Sequence, residues 1–220
     1  MIKYLLYKLG YRISKYNPNL DDSLKFLFKE KKNLVIFDIG ANTGQSIERF
    51  NNLFNDPLVY SFEPNKKSYD ILKNKYKDKK NYIFNFAFGD QIENKKFNIN
   101  LWDQTSSFYE INNKYHTLRG NKTLIKENVP VDTLDNFTKN KQINNIDILK
   151  IDTQMYEEKI LLGGSEILNN IKCIELEIFL ENYYNQKSSF YNIEKILNKY
   201  NFKLFNISDP SYDKQKRIQW

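Results

Sequence analysis

Val35–Ile36–Phe37–Asp38–Ile39–Gly40–Ala41–Asn42–Thr43–Gly44 decides how this chain is read. An apolar run of strand length ends in an aspartate, passes through Gly40 and Gly44, and gives way to a helical pattern through Ile47–Phe54. Glycines at such a junction let the backbone turn sharply and approach a ligand closely. The alternation continues with Leu58–Phe62 as a strand, a helix through Tyr69–Tyr76 and a strand at Tyr82–Ala87. Successive βαβ units imply a parallel sheet with right-handed crossovers. In such sheets ligands bind just beyond the carboxyl ends of the strands.

Glu63 ends the second strand, immediately before Pro64, a residue that stops strand pairing. A carboxylate there either accepts hydrogen bonds from both hydroxyls of a ribose or favours the start of the next helix through its dipole. The loop upstream weights the reading towards ribose. Dinucleotide sites use G-x-G-x-x-G, which seats a pyrophosphate on the helix N-terminus. Gly40 and Gly44 are spaced G-x-x-x-G instead, and Asp38 brings negative charge where a pyrophosphate would be repelled. A sulfonium cofactor with an ammonium group tolerates that carboxylate, so spacing and charge favour S-adenosylmethionine over a dinucleotide.

Further along, Gly89 to Val131 is less regular, with a strand at Lys96–Leu101, a polar patch at Asp103–Ser107 and a basic stretch at Lys114–Lys126. A long segment of this kind is often a lid or substrate loop. The α/β rhythm resumes with a helix at Thr133–Lys139, N-capped by Thr133, and a strand at Ile146–Ile151. A helix at Glu157–Leu162 is closed by Gly163–Gly164, with Gly163 expected at positive φ. A strand at Ile171–Ile178, a helix at Tyr191–Tyr200 and a strand at Phe202–Ile207 follow. At the other end, Ile2, Leu5, Leu6, Leu9 and Ile13 give Met1–Tyr16 an amphipathic helical stripe. That helix either docks on its own domain or rests on a membrane surface or a partner. Leu20–Lys31 forms a second short helix, so the expected organisation is a helical extension at residues 1–32 and one α/β domain at residues 33–220.

Composition bounds the partners. Hydrophobic residues at 40% and charged residues at 28% of 220 describe a soluble globular chain rather than a disordered or membrane one. The net charge of +7 is spread over interleaved Lys and Glu, which makes a solvated surface the plain reading. No zinc-finger spacing or basic–aromatic block favours nucleic acid. No stretch approaches the ~20 apolar residues of a membrane span, and Lys8 and Arg12 interrupt any signal-peptide core. Cys173 is the only cysteine, which excludes an internal disulfide and suits a reducing compartment. A cytoplasmic setting follows, free or at the inner face of a membrane through the N-terminal helix. Cys173 lies in an apolar strand and is expected to be a buried structural thiol.

Several motifs in order make a resemblance specific: Val35–Gly44 (VIFDIGANTG), Val59–Asn65 (VYSFEPN), Ala87–Asp90 (AFGD), Thr105–Ser107 (TSS), Val131–Asp135 (VDTLD) and Ile146–Glu157 (IDILKIDTQMYE), followed by Gly163–Gly164 and Glu175. With these the chain resembles the FkbM family of class I methyltransferases, from about Asn33 to Ile178 and onward towards Ile207. The resemblance implies a Rossmann-like α/β fold with a mainly parallel seven-stranded sheet flanked by helices. It implies methyl transfer from S-adenosylmethionine to an oxygen, often a sugar or polyketide hydroxyl. By the same resemblance Asp38, Gly40 and Asn42 line the methionine end of the cofactor, within the loop that Gly44 closes. Glu63 holds the ribose, Ala87, Phe88 and Asp90 lie beside the adenine, and Asp152 faces the transferring methyl group. One departure stands out: the family pattern D-x-E/Q-G-x-E has Met155 in place of its glycine. Met155 either narrows the pocket, alters acceptor choice or signals lost turnover.

A hydroxyl acceptor needs its proton removed as the new bond forms. Asp152, at a strand carboxyl end, and His116, whose type titrates near about 6.5, are the candidate bases. Lys114, Arg119, Lys122 and Lys126 cluster near His116, where they either form a solvated loop or bind an acidic sugar or phosphate-linked carrier. Trp102, Tyr109 and Tyr115 offer faces for a sugar ring. No His–carboxylate cluster accompanies Asp38, Asp152, Glu157 or Glu175, so no metal is expected. The leading expectation is an O-methyltransferase of a sugar, glycan or similar polyhydroxyl acceptor. The alternatives are a protein, lipid or nucleic-acid acceptor, or a non-catalytic binding module that keeps the fold.

Overall fold

A computed structural model describes residues 19–77, 82–113, 120–179, 183–186 and 189–208. The N-terminal amphipathic helix expected at 1–16, His116, and Lys114, Tyr115 and Arg119 lie outside the described residues. Two compact units are distinguished. In the small one, α1 (Leu20–Leu27) is N-capped by Asn19, whose Oδ1 accepts from Asp22 N at 2.8 Å, and Asn206 Nδ2 donates to Ser23 Oγ at 2.7 Å.

The large unit, residues 31–203 among those described, holds the α/β layers. Its elements are β1 (Val35–Ile39), α2 (Gln45–Leu53), β2 (Leu58–Phe62), α3 (Lys66–Lys75), β3 (Tyr82–Phe84), β4 (Ala87–Phe88), β5 (Glu93–Asn100), β6 (Thr123–Asp132), α4 (Leu134–Asn140), β7 (Ile146–Ile151), α5 (Glu157–Leu162), β8 (Ile171–Leu176) and α6 (Phe190–Asn198). Five strands form one parallel sheet in the order β3-β2-β1-β7-β8. The order reverses direction between β1 and β7, which leaves a crevice at their carboxyl ends. β7 is buried along its whole length, as expected of a strand covered on both faces. Aromatic rings pack the sheet's core: Phe62 stacks on Phe84 at 5.2 Å and meets Phe88 edge-on at 4.6 Å, with Phe137 of α4 against both.

The sheet departs from the expectation in number. Among the described residues the parallel sheet has five strands rather than seven, and β4, β6 and β5 form a separate three-stranded sheet in that order. The segment expected to be irregular therefore contains the ten-residue strand β6, antiparallel to β5. The expected strand at Tyr82–Ala87 divides between the two sheets, and residues 202–207, expected as a strand, carry none. Thr133 does cap α4, its Oγ1 accepting from Asn136 N at 3.1 Å. Gly163, expected at positive φ, has φ −78°. Its need for glycine is a close approach: a Cβ there would lie 2.0 Å from Gly89 O. Cys173, expected to be a buried structural thiol, is half-buried, and burial pushes its thiol up to about 11. Among the described residues, no helix is long and apolar enough to cross a membrane.

Candidate active site

A cavity of about 520 Å³ opens where β1, β2, β7 and β8 end. Its floor follows from the sharp exit of β1. Gly40, Asn42 and Gly44 are left-handed at φ 83°, 47° and 96°, so the chain folds back over the sheet instead of extending it. A Cβ on Gly40 would sit 1.9 Å from Asp152 O, and one on Gly44 would sit 2.6 Å from the Tyr76 ring. Gly40 thus lets the β1 and β7 ends meet, while Gly44 lets α2 start against α3.

Glu63 lines this end of the cavity. Its Oε2 accepts from Asn42 N and its Oε1 from Asn65 N, both at 2.8 Å. Two backbone amides therefore aim the carboxyl, and burial pushes it up to about 7 against their pull. Phe86, Ala87 and Phe88 form an apolar wall beside it.

Register explains the charges beneath. Asp38 pairs across with Lys150, and Lys150 with Glu175. Lys150 Nζ lies 3.2 Å from Asp38 Oδ1 and 3.5 Å from Asp152 Oδ2. Asp38 is fully buried, its Oδ2 has no hydrogen-bond partner among the described residues, and burial raises its carboxyl above the ordinary range. Burial would raise Asp152 too, but the Lys150 charge and hydrogen bonds hold it below its usual value. Glu175 belongs to a scaffold pair, bonded to Arg49 through both oxygens at 2.6 and 3.0 Å.

The cavity is also lined by Trp102, Asp103, Thr105, Gln154, Glu177 and Tyr183. Gln154 and Met155 are both left-handed, at φ 60° and 75°. Glu157 Oε1 ties their turn down, accepting from Thr153 N at 3.0 Å and Met155 N at 3.2 Å. The Met155 side chain is buried with Ile111, Phe179, Tyr183 and Tyr184.

A sequence model of the Methyltransferase FkbM domain matches residues 38–204. The chain belongs to the FkbM methyltransferase family. No curated protein and no solved structure matched the chain.

For this FkbM methyltransferase, the structure brings Gly40, Asn42, Glu63, Ala87, Phe88 and Asp152 together around one cavity. Asp38 lies beneath it, Gly44 packs against α3, and Asp90 is ion-paired with Lys159 at 2.7 Å. Other family motifs serve the scaffold. Asp132 Oδ1 accepts from Thr133 N and Asn136 Nδ2, and Asp135 Oδ1 accepts from Ile167 N at 2.9 Å. Gly89 and Gly163 touch backbone to backbone. Ser107 Oγ donates to Gln154 O at 2.8 Å, which ties the TSS turn to the cavity. Reading the motifs alone missed Glu177 and the role of Lys150. Laying β7 beside β8 in parallel from their starts would have placed Glu177 next to Asp152. Among the described residues, no group of three or more His, Cys, Asp or Glu side chains is placed to hold a metal.

Proposed function

We propose that this methyltransferase uses S-adenosylmethionine and transfers its methyl group to a hydroxyl of a sugar, glycan or similar small polyhydroxyl acceptor. The observation that carries the cofactor is the Glu63 carboxyl, fixed by Asn42 N and Asn65 N and facing a cavity walled by Phe86 and Phe88. Each carboxyl oxygen keeps lone-pair capacity beyond its amide bond, which suits two ribose hydroxyls. The apolar wall suits an adenine ring. Asp38 and Asp152 outnumber Lys150, a balance that favours a cationic sulfonium over an anionic ligand. When bound, S-adenosylmethionine supplies an activated methyl group on a positively charged sulfur.

The chain's own part is to place the acceptor oxygen in line with that methyl and to accept its proton. Trp102 and Tyr183 in the cavity's lining offer faces for a sugar ring. The charged residues lining the cavity are Glu63, Asp103, Asp152, Glu177 and Lys150, so a neutral acceptor fits better than an acidic one. Lys126, from the basic stretch, is ion-paired with Glu110 on the surface. Burial of Met155 in its own apolar cluster leaves the cavity open, which counts against the non-catalytic reading.

Calorimetry with S-adenosylmethionine and S-adenosylhomocysteine tests the cofactor. Glu63→Gln is expected to weaken binding by about 2 kcal/mol, near thirtyfold, because one charge-assisted bond pattern is lost. Wild-type affinity should also improve as pH rises through about 7, where Glu63 ionises. Equal binding by both proteins would sink the assignment. A panel of neutral glycosides, acidic sugars, lipids and peptides, read by mass spectrometry for one added methyl, then separates the acceptor classes.

A further inference from the structure

The second end of the cavity holds a carboxyl pair. Parallel pairing of β7 and β8 continues past both strand ends, where Glu177 N donates to Ile151 O at 3.1 Å. That seats Glu177 beside Asp152, and both line the cavity. The Gln154 side-chain amide bridges them: Nε2 donates to Asp152 Oδ1 at 3.1 Å and to Glu177 Oε2 at 2.7 Å. Its oxygen is turned the other way, within 3.0 Å of the Tyr184 hydroxyl. In this orientation the amide sets a donor between two acceptor oxygens.

The bridge is held at a conformational cost. Gln154 and Met155 occupy the left-handed region without glycine. They are kept there by Ser107 Oγ on the Gln154 carbonyl, Glu157 on the Met155 amide, and the Met155 side chain in its apolar cluster. Strain that persists beside a ligand cavity points to a positional requirement. Here the position required is that of the bridging amide.

Charge counting gives the pair its chemistry. Asp38 and Asp152 both pair with the buried ammonium of Lys150. Glu177 has the Gln154 amide instead. Three carboxyls around one ammonium do not all ionise at neutral pH, and the one without the ammonium keeps the proton. Burial first, then the Asp152 charge, pushes Glu177 up to about 9.

We propose that Glu177 is the base that takes the acceptor hydroxyl's proton, with Asp152 as the negative neighbour that strengthens it and Gln154 as the positioning residue that joins them. This rests on the hydroxyl-acceptor reading above. In the step, the acceptor O–H bond breaks and its proton passes to the ionised Glu177 carboxylate. The oxygen's electron pair forms the new bond to the methyl carbon, and the C–S electron pair stays on sulfur, which leaves as a neutral thioether. Asp152, held ionised by Lys150, binds a proton too weakly to compete. The other titratable groups around Glu177 are Lys150 from β7, Glu157 from α5 and Tyr184.

Infrared titration of the ligand-free protein reads the pair without an acceptor. A protonated-carboxyl band is expected to persist through neutral pH and vanish near about 9. The component that titrates there, above the Glu63 carboxyl's range, should be absent in Glu177→Gln and shift down by about one pH unit in Asp152→Asn, where the negative neighbour is gone. Gln154→Leu, which removes the bridge, should move the midpoint as well. With an acceptor from the panel, kcat/KM should rise about tenfold per pH unit up to that midpoint. Glu177→Gln should lose this limb and at least about a hundredfold in rate, with S-adenosylhomocysteine affinity unchanged. A component titrating near about 9 that survives in Glu177→Gln, or a Glu177→Gln enzyme with the wild-type rate and profile, overturns the proposal. If the protein binds cofactor but methylates no hydroxyl compound, the hydroxyl reading fails, and the base fails with it. An intact band with no cofactor bound would instead locate the failure in the cofactor assignment.

Discussion

At the β1–β2 end of the cavity, a ligand faces a glycine, a left-handed bend at Asn42 and a carboxyl anchored by two main-chain amides. At the β7–β8 end it faces Thr105, Gln154 and Glu177, side chains from separate segments held together from behind by Ser107 and Tyr184. The first end is made by short stretches of chain attached directly to largely buried strands. The second is made by a network, and its backbone is left-handed at Gln154 and Met155 with no glycine to ease it. Main-chain fixtures change little when side chains change, whereas a network can be rebuilt one residue at a time. A pocket that keeps one ligand and varies the other is served by this division.

The largest expected effect is at the rigid end. In Gly40→Ala the new Cβ would fall 1.9 Å from Asp152 O, at a backbone φ of 83°. Backbone cannot yield there as a flexible side chain would, so overpacking and left-handed strain add to a loss of roughly 3 kcal/mol or more. Urea denaturation should show a lower midpoint at an unchanged slope. A loss below about 1 kcal/mol would mean that the β1 and β7 ends are not locked together, and the contrast between the two ends would collapse.

The difference in construction also explains what was legible. Asp38–Gly44 and Glu63 could be read directly because their meaning is local: a strand, a bend and a carboxylate follow one another in the chain. β7 and α5 fall on the bounds their patterns set, Ile146–Ile151 and Glu157–Leu162. β6 hid because Lys126, Glu127, Asn128 and Pro130 blur its alternation, and because it belongs to the small sheet outside the parallel layer. Residues 202–207 have strand composition, yet pairing is a tertiary fact that composition does not carry. Glu177 was silent for the same reason. Its neighbour Asp152 is close only through the pairing of two strands.

Met155 sharpens the comparison from the network end. Met155→Ala empties a site among Ile111, Phe179, Tyr183 and Tyr184 and keeps the left-handed backbone, at a cost of about 2–4 kcal/mol. Met155→Gly empties the same site but relieves the backbone. The glycine variant should therefore be more stable than the alanine variant by about 1 kcal/mol, the reverse of the usual order. Thermal or urea denaturation of the pair decides it. Alanine equal to or better than glycine would show that the turn carries no strain, and that the family's glycine marks something other than backbone shape.

The smallest effect tests whether a family motif away from both ends belongs to the scaffold. Thr133 sits in the Val131–Asp135 motif, caps α4 through Asn136 N, and lies beside Gly163. Thr133→Ala should cost about 1 kcal/mol of stability, the ordinary worth of an N-cap. It should leave calorimetric affinity for S-adenosylhomocysteine unchanged. The route by which it could do otherwise is short: Val131 and Asp132 pair with Ala87 and Phe88, which wall the cavity. If affinity fell in step with stability, β4 would be transmitting the cap's loss to that wall. The rigid end would then extend through the second sheet, beyond the strands of the first.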